Sequence, residues 1–493
     1  MIRWLTLSLL WFTAPYQFAQ DRPPNVILVL VDDLGWMDLS CQGSDYYQTP
    51  HIDRLAKEGM RFTQAYAACA VCSPTRAAVL TGRYPHRVGV TDWIRSRFQR
   101  GNLGTPNANP TEYVGGKNRK FLCPPNPYWM EHDERTIAEA LGESEQSYHS
   151  AYIGKWHLGD PDWYPTRQGF TENRGGCDYG QPPSYFDPYN QPKGKHESVR
   201  SGIYQLPGRK PGEYLTDREV DEALTLIRAW KDEPFFIQLG HYAVHTPIQA
   251  LPEAAAKYQH KGKTPIQAKY AAMVESVDQS MGKILELLDE LNLDDNTLVI
   301  FTSDNGPWLS YGDHAGTTGG LREGKGTTFE GGIRVPMVAR LPGVIPSGSV
   351  CDEPCMTIDL LPTIAEMTGT SANLGALEID GRDIDARSGV LAKSIKPGSP
   401  AVIELVDMQT REPVETLEVD AVLVATGRVP SSKGLNLEAL GVETNRGFVP
   451  IDDGMRVLSG GQPVPHLWAV GDVTGKLMLA HTAAAQGTVA VDN

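Results

Sequence analysis

The chain has 493 residues, of which 41% are hydrophobic and 21% are charged. This length and composition predict a globular protein of two or more domains and exclude a largely disordered one. The formal net charge of −15 argues against nucleic acid or an anionic membrane surface as a partner. An anionic substrate would therefore need a local cluster of basic side chains.

The first twenty residues have the pattern of a secretory signal peptide. Arg3 supplies a short positive region, residues 4–12 are mostly apolar, and Ala19 is a small residue suited to cleavage. The apolar stretch is too short to span a membrane, and no other run is long enough. We therefore predict a signal peptide over residues 1–20 and no membrane span after its removal. The predicted location is secreted, periplasmic, or a secretory-pathway or lysosome-like compartment.

Three apolar segments are typical of strands buried in a parallel sheet. They lie at residues 25–31, 234–241 and 297–303, and they show no polar alternation. Polar side chains follow them, namely Asp32 and Asp33, His241 and His245, and Asp304 and Asn305. Helical patterns lie between the strands, at residues 136–142, 217–231 and 268–291. This alternation predicts an α/β fold with a large, mostly parallel sheet and helices on both faces.

The acids and the amide after the first and last of these strands are candidate metal ligands. Asp32, Asp33, Asp304 and Asn305 offer only oxygen donors, which suit Ca²⁺ or Mg²⁺ and disfavour zinc. Side chains that follow parallel strands are expected at one edge of the sheet. The alternative is that these residues are helix caps or turn residues, which are common roles of Asp and Asn.

Residues 68–82, ACAVCSPTRAAVLTG, contain two overlapping cysteine patterns. Cys69 and Cys72 have the C-x-x-C spacing of a redox dithiol, whereas residues 72–76 have the spacing C-x-P-x-R. Pro74 at the first helical position and Gly82 past the end predict a helix, with Cys72 at its N-terminus and Arg76 one turn along. These features favour Cys72 as the positioned residue. From the residues alone, a pair of buried structural cysteines remains an alternative.

Six motifs in order resemble the sulfatase family: NVILVLVDDLGW, CSPTRAAVLTGR, YIGKWHLG, HTP, TSDNG and GGLREGKGTTFEGGIRVP. The resemblance covers residues 22–386, about three quarters of the chain. It implies an alkaline-phosphatase-like core that hydrolyses sulfate esters of a sulfated small molecule or carbohydrate. In that family a separate formylglycine-generating enzyme oxidises the C-x-P-x-R cysteine, here Cys72, to formylglycine. One hydroxyl of the hydrated aldehyde attacks sulfur, and the other then expels sulfate.

The resemblance also implies roles for the other motif residues. The divalent cation, Ca²⁺ with Mg²⁺ as the alternative, would be held by Asp32, Asp33, Asp304, Asn305 and an oxygen of the modified Cys72. Arg76 would steady the nucleophile. Lys155 and His157 would lie beside it, with His157 as the base, and His245 and Lys325 would bind the sulfate and assist the leaving oxygen. This set supplies the positive cluster that the overall charge lacks.

Residues 389–493 resemble flavin disulfide reductases, most closely dihydrolipoyl dehydrogenase. The resemblance rests on the segments LEVDAVLVATGRVP, GLNLEALGVETNRGFVPID and LWAVGDVTGKLMLAHTAAAQG. It implies that Asp472 is the remnant of an FAD contact. The chain has no G-x-G-x-x-G motif after a strand, and no cysteine follows Cys355. We therefore expect neither FAD binding nor reductase activity.

These resemblances divide the chain into three predicted parts. Residues 1–20 are the signal peptide, and residues 21–386 are a sulfatase catalytic domain without its C-terminal subdomain. Residues 387–493 are a truncated pyridine nucleotide-disulfide oxidoreductase-like fragment, a partial dinucleotide-binding α/β unit.

Three other functions are alternatives to sulfate-ester hydrolysis. A phosphate or phosphonate monoester hydrolase would use the same metal site. A dihydrolipoyl dehydrogenase-like oxidoreductase in the tail would carry a flavin absorption band. An inactive fusion would bind sulfated ligands without turnover.

Overall fold

The structure is a computed structural model that describes residues 22–94, 108–113, 115, 123–145, 147–190, 202–203, 205–206, 208, 210–259, 263–310, 316–370, 390–396, 398, 400–419, 432, 434–470 and 472–474. The chain divides into two compact units, residues 1–384 and 385–493. The predicted signal peptide lies outside the described residues.

A sheet of eight strands organises the first unit. The strands of this unit are β1 (Asn25–Val31), β2 (Met60–Phe62), β3 (Ala65–Tyr66), β4 (His149–Gly154), β5 (Glu172–Arg174), β6 (Phe235–Gly240), β7 (Thr297–Ser303), β8 (Met337–Arg340), β9 (Ser349–Cys351) and β10 (Cys355–Met356). The sheet has the order β5–β4–β6–β1–β7–β8–β2–β9, and only β8 runs against the others. The short strands β3 and β10 pair separately. The predicted mostly parallel α/β sheet is confirmed.

The central strands explain where a site can form. Every residue of β1 and β7 is buried, as expected of apolar segments covered on both faces. Strand β1 pairs in parallel with β7 and β6, and β6 pairs in parallel with β4. The carboxyl ends of these four neighbouring strands therefore lie along one edge of the sheet, which is where α/β proteins bind ligands.

The α-helices of this unit are α1 (Pro50–Glu58), α2 (Cys72–Thr81), α3 (Pro85–Val88), α4 (Ile137–Gly142), α5 (Leu215–Trp230), α6 (Pro252–Gln259), α7 (Pro265–Glu290), α8 (Glu330–Ile333) and α9 (Leu360–Met367). Short 3-10 helices lie at Ser40–Gln42, Pro161–Trp163, Pro165–Arg167, Asp294–Asn296 and Thr357–Asp359. Helices α1, α5 and α6 pack on α7, whereas α3, α4 and α9 pack on α2. Within the described residues, no helix is both long and apolar enough to cross a bilayer.

The predicted helices are confirmed, with shifted ends. The pattern at residues 268–291 corresponds to α7, which begins earlier, at Pro265. Thr264 and Gln267 form a reciprocal capping box there, and Pro265 occupies the first helical position. Both features satisfy or remove N–H groups that would otherwise lack a partner. Capping, which hydrophobic periodicity does not report, therefore sets this boundary.

The second unit contains antiparallel strands. Strands β11 (Val390–Lys396), β12 (Ala401–Asp407) and β13 (Pro413–Val419) form one sheet, and β14 (Arg456–Ser459) pairs with β15 (Gln462–Trp468). Short 3-10 helices lie at Leu437–Leu440 and Asp472–Thr474. The core of this unit is small: Leu437, Val442, Val449, Ile451 and Val457. The side chain of Asp472, the predicted remnant of an FAD contact, lies outside the described part of the structure.

Gly154 ends β4 directly before the candidate site, and its position requires glycine. Its φ is +84°, and an added Cβ would lie 2.1 Å from the carbonyl oxygen of Gly240. We expect Gly154→Ala to reduce the free energy of unfolding by about 1–3 kcal/mol, because the backbone is left-handed and the neighbouring strand is in the way. Thermal unfolding followed by circular dichroism measures the change.

The matched control for this prediction is Gly142→Ala. Gly142 is the last residue of α4, and no atom lies within 4 Å of an added Cβ there. This variant should melt at or slightly above the wild-type midpoint, because alanine favours the helix by about 0.5–1 kcal/mol. Equal melting of the two variants would contradict the prediction.

Candidate active site

Four oxygen-bearing side chains meet at the carboxyl edge of the sheet. Asp32 and Asp33 follow β1, Asp304 and Asn305 follow β7, and all four are 0% exposed. The β1–β7 register ends with Val31 opposite Ser303, so the two pairs leave neighbouring strands at the same level. The backbone N–H of Asp33 donates to Asp304 Oδ1 at 3.3 Å. The fold thus brings together residues that are about 270 positions apart in the chain.

Each of the three carboxylates at this edge forms an ion pair with a lysine or arginine side chain. The three ion pairs join Lys155 Nζ to Asp32 Oδ2 at 2.5 Å, Lys325 Nζ to Asp33 Oδ1 at 2.5 Å, and Arg76 Nε to Asp304 Oδ2 at 2.8 Å. Lys155 follows β4, Arg76 lies on α2, and Lys325 comes from the loop before α8. In a net acidic protein, the positive charges predicted for an anionic substrate are concentrated at this edge.

Helix α2 places Cys72 and Arg76 at the site. It begins at Cys72, and Gly82 closes it with φ +64°. Pro74 is the third helical residue and not the first, as predicted, and it is tolerated there because the first-turn N–H groups have no intrahelical acceptor. Arg76 is buried, and its Nη1 donates to the carbonyl oxygen of Lys155 at 2.6 Å. Among the described residues, Arg76 Nη2 has no hydrogen-bond partner.

The Cys72 side chain faces a histidine in a defined orientation. Cys72 Sγ lies 3.4 Å from His157 Nδ1, and His157 Nε2 lies 2.6 Å from the carbonyl oxygen of Ile94. Since a carbonyl only accepts, Nε2 carries the proton, and Nδ1 of the neutral ring is an acceptor facing position 72. Burial, and next the charge of Lys155, lower the pKa of His157 well below its usual value.

Cys72 itself lacks the features of an activated thiol. Burial raises the pKa of its thiol, although Lys155 and Lys325 act in the opposite direction. Burial also raises the pKa of Cys69, which is partly exposed, and both cysteines are free thiols. Reactive dithiols and thiol nucleophiles need a lowered pKa. The electrostatics therefore disfavour the redox reading of the C-x-x-C spacing and leave Cys72 as a buried, neutral group.

His245 completes the group of side chains around Asp33. Its Nε2 lies 3.6 Å from Asp33 Oδ2, and its Nδ1 lies 2.9 Å from the carbonyl oxygen of Thr246 and 3.2 Å from Thr246 Oγ1. Burial, and next the charge of Lys325, lower the pKa of His245 well below its usual value. Since Nδ1 can donate to the Thr246 carbonyl or accept from the Thr246 hydroxyl, the neutral ring can face Asp33 with Nε2 either bare or protonated.

The donors at this edge fit a divalent cation. Oxygens of Asp32 and Asp33 and a nitrogen of His245 lie within 4.8 Å of one another. In the described part of the chain, the buried Oδ1 atoms of Asp32 and Asn305 accept no hydrogen bond. Burial raises the pKa of Asp32 well above its usual value, despite the opposing charge of Lys155. A hard cation would offset this cost, and carboxylate and amide oxygens are the ligands it prefers.

A cavity of about 460 Å³ opens on these side chains. Its buried wall includes Cys72, His157 and His245, with Lys325 beside them. Four other lining residues are more exposed than these, and we call them the mouth residues: Asp92, Trp93, Gln181 and Trp308. The sequence pattern did not identify any of these four as a site residue. Gln181 lies in a loop-rich region, residues 160–212, of the type that carries selectivity, and Trp308 comes two residues after the TSDNG motif.

Two regions of the chain, one long and one shorter, match known protein families. Residues 24–370 match the family model described as Sulfatase, and residues 361–487 match the model described as Pyridine nucleotide-disulphide oxidoreductase. Both predicted resemblances are therefore confirmed.

Curated relatives match the first of these regions. The N-acetylgalactosamine-6-sulfatase of Canis lupus familiaris is 36% identical over 378 residues, which is 74% of this chain and 65% of that protein. The steryl-sulfatase of Homo sapiens is 32% identical, over 78% of this chain and 72% of that protein. This chain therefore spans slightly less than two thirds of the N-acetylgalactosamine-6-sulfatase.

A solved structure has a similar fold. The crystal structure of Ps i-CgsB in complex with k-i-k-neocarrahexaose is 35% identical, with a TM-score of 0.57. The match covers 71% of this chain and 72% of that one.

Proposed function

Because the chain belongs to the sulfatase family, we propose that it hydrolyses sulfate esters at the edge of the sheet where Cys72 meets the buried carboxylates. We assign this activity to the domain of residues 21–386. The observation that carries the proposal is the position of Cys72. It lies at the N-terminus of α2, against an acceptor nitrogen of His157 and beside three buried ion pairs.

The nucleophile in this proposal is formylglycine, made from Cys72 by a separate formylglycine-generating enzyme. When present, its hydrated form supplies one hydroxyl that attacks sulfur and a second that expels sulfate. His157 Nδ1 is placed to accept a proton from the group at position 72, since the carbonyl of Ile94 holds the other ring nitrogen in its protonated form. Arg76 Nη2, which lacks a partner among the described groups, is available to an oxygen there.

Lys325 and His245 bind the sulfate in this proposal. Both line the cavity, and Lys325 is only slightly exposed, so its charge is poorly screened. Lys155 is fully buried and does not line the cavity, but its charge opposes the burial that raises the pKa of Cys72. We infer that Lys155 orients Asp32 and stabilises negative charge at position 72 without touching the substrate.

We propose Ca²⁺, or Mg²⁺ as the alternative, as the cofactor of this site. Asp32, Asp33, Asp304, Asn305 and an oxygen at position 72 would hold it. When bound, the cation acts as a Lewis acid toward that oxygen and offsets charge on the transferred sulfuryl group.

The partners and location follow from the same assignment. The names of the relatives include a sulfated sugar and a sterol, and we propose a sulfated carbohydrate or small molecule as the substrate. We propose export through the signal peptide of residues 1–20. The tail is proposed to carry no flavin and no reductase activity, so that purified protein shows no flavin absorption band.

A comparison of two chromogenic esters tests the activity. We expect 4-nitrophenyl sulfate to be hydrolysed at least about tenfold faster, as kcat/KM, than a phosphonate monoester of 4-nitrophenol. The peptide that contains Cys72 should be about 18 Da lighter than the unmodified sequence, as the aldehyde nucleophile requires. Faster phosphonate hydrolysis would favour the rival hydrolase. Absence of turnover in protein that carries the aldehyde would favour the inactive fusion.

A further inference from the structure

We propose that the mouth residues bind an uncharged pyranose ring and that Asp92 selects substrates with a single sulfate. In this reading, the Asp92 carboxylate accepts hydrogen bonds from sugar hydroxyls and repels a second sulfate or a carboxylate on the same ring. The inference rests on the proposed sulfatase function and names the substrate class of that site.

Trp308 links the mouth to the sulfate-binding side chains. Its ring centroid lies 5.5 Å from that of His245, and Lys325 Nζ lies 4.9 Å from the centre of the Trp308 ring. The ring is half-buried, so part of it is open to the cavity. An indole face beside the sulfate site can pack against the C–H groups of a sugar ring that carries the sulfate.

Asp92 is the acidic residue among those that line the described cavity. It is exposed, and the backbone N–H of Trp93 donates to its Oδ1 at 2.8 Å. The Trp93 carbonyl in turn accepts from Asn126 Nδ2 at 2.8 Å, so the turn that carries Asp92 is tied to a neighbouring segment. The Asp92 carboxylate is therefore fixed in position before a ligand binds and can accept hydrogen bonds from hydroxyl groups. Hydrogen bonds to an ionised acceptor are stronger than those to a neutral one.

The distribution of charge along the cavity then separates possible substrates. Lys325, the proposed sulfate-binding residue, pairs with the buried Asp33, whereas Asp92 is the more exposed of the two lining residues. One sulfate can meet the cation, but a second anionic group on the ring would face the carboxylate. Like charges within one small cavity lower affinity and reject the wrong ligand. A sterol fits poorly for another reason, because its apolar rings would cover Asp92 and Gln181 without giving them hydrogen-bond partners.

Binding to the full chain with Cys72→Ala tests this inference without turnover. Titration calorimetry, with Ca²⁺ present, would compare N-acetylgalactosamine 6-sulfate, N-acetylgalactosamine 4,6-disulfate and a steryl sulfate. We expect the monosulfated sugar to bind roughly fivefold more tightly than the disulfated one at low salt, with the ratio narrowing at high salt. The steryl sulfate should bind more weakly than the monosulfated sugar.

Variants of the mouth residues test whether Asp92 causes the preference for one sulfate and whether Trp308 binds the sugar ring. Asp92→Asn should bring the ratio of the dissociation constants of the two sugars below about twofold, chiefly because the disulfated sugar then binds more tightly. Asp92→Ser provides a second variant. Asp295→Asn is the control, because Asp295 is equally exposed but precedes β7, at its amino end. Trp308→Ala should weaken both sugars by roughly 3- to 10-fold, whereas Trp308→Phe should retain most of the affinity.

The outcomes separate this inference from the proposed function. Equal or tighter binding of the disulfated sugar, tighter binding of the steryl sulfate, no saccharide binding, or a ratio unmoved by both Asp92 variants would overturn the inference. Failure of the wild-type enzyme carrying the aldehyde to hydrolyse 4-nitrophenyl sulfate would overturn the proposed function instead, since the binding ratio needs no turnover.

Discussion

Replacing Cys72 with alanine should reduce kcat/KM for 4-nitrophenyl sulfate by roughly 10⁴-fold or more, to the background of the assay. The fold places no other nucleophilic side chain of the described cavity wall against His157 Nδ1. The protein should remain folded, because the change removes one sulfur atom from a buried position and breaks no ion pair. Steady-state kinetics and a melting curve on the same preparation measure both effects.

Two further variants at this segment separate nucleophile chemistry from dithiol chemistry. Cys69→Ala should retain the activity within about threefold, as expected of a residue outside the chemistry. Cys72→Ser should become sulfated once and then stop, because a single hydroxyl cannot expel the sulfate. Intact-protein mass spectrometry would show the added sulfuryl group. Equal losses in Cys69→Ala and Cys72→Ala would instead support a redox pair.

Replacing Asp32 with alanine should affect both the cofactor and the fold. Removal of a proposed ligand should lower kcat/KM by roughly 10³-fold and abolish the rise in melting temperature that added Ca²⁺ gives the wild type. The variant should also lose about 3–5 kcal/mol of stability, because Lys155 is left buried at 0% exposure without its carboxylate. Differential scanning calorimetry with Ca²⁺ and with a chelator measures both effects.

A double variant and a control distinguish loss of the cation ligand from loss of the ion pair with Lys155. Asp32→Ala combined with Lys155→Met removes both charges and should recover much of the stability but none of the activity. Asp278→Asn is the matched control, since Asp278 is also buried but accepts backbone N–H groups of His51 and Ile52 on α1. It should retain the Ca²⁺ response. A Ca²⁺-induced shift that survives in Asp32→Ala would refute the proposed ligand role.

Local pattern was enough to predict the framework of the fold. The uninterrupted apolar residues of β1 and β7 identified strands buried on both faces, and the polar residues after them marked the edge where ligands bind. The predicted ends of helices were less accurate where capping interactions decide where the helix begins. The start of α7 depends on a side chain–backbone exchange at Thr264, and the position of Pro74 within α2 depends on which first-turn N–H groups go unpaired.

Residue types and their spacing are enough to identify the chemical groups of this protein: a cysteine at a helix start, oxygen donors after two buried strands, and basic residues in ordered motifs. Short-range periodicity and capping carry that information, because they act within a few turns of chain. The three-dimensional arrangement is needed to show that Lys155 pairs with Asp32, that His157 turns an unprotonated nitrogen toward Cys72, and that Asp92 shares a cavity with Lys325. These contacts join residues far apart in the chain, and burial then sets their charge states. Both depend on how the strands order themselves in the sheet.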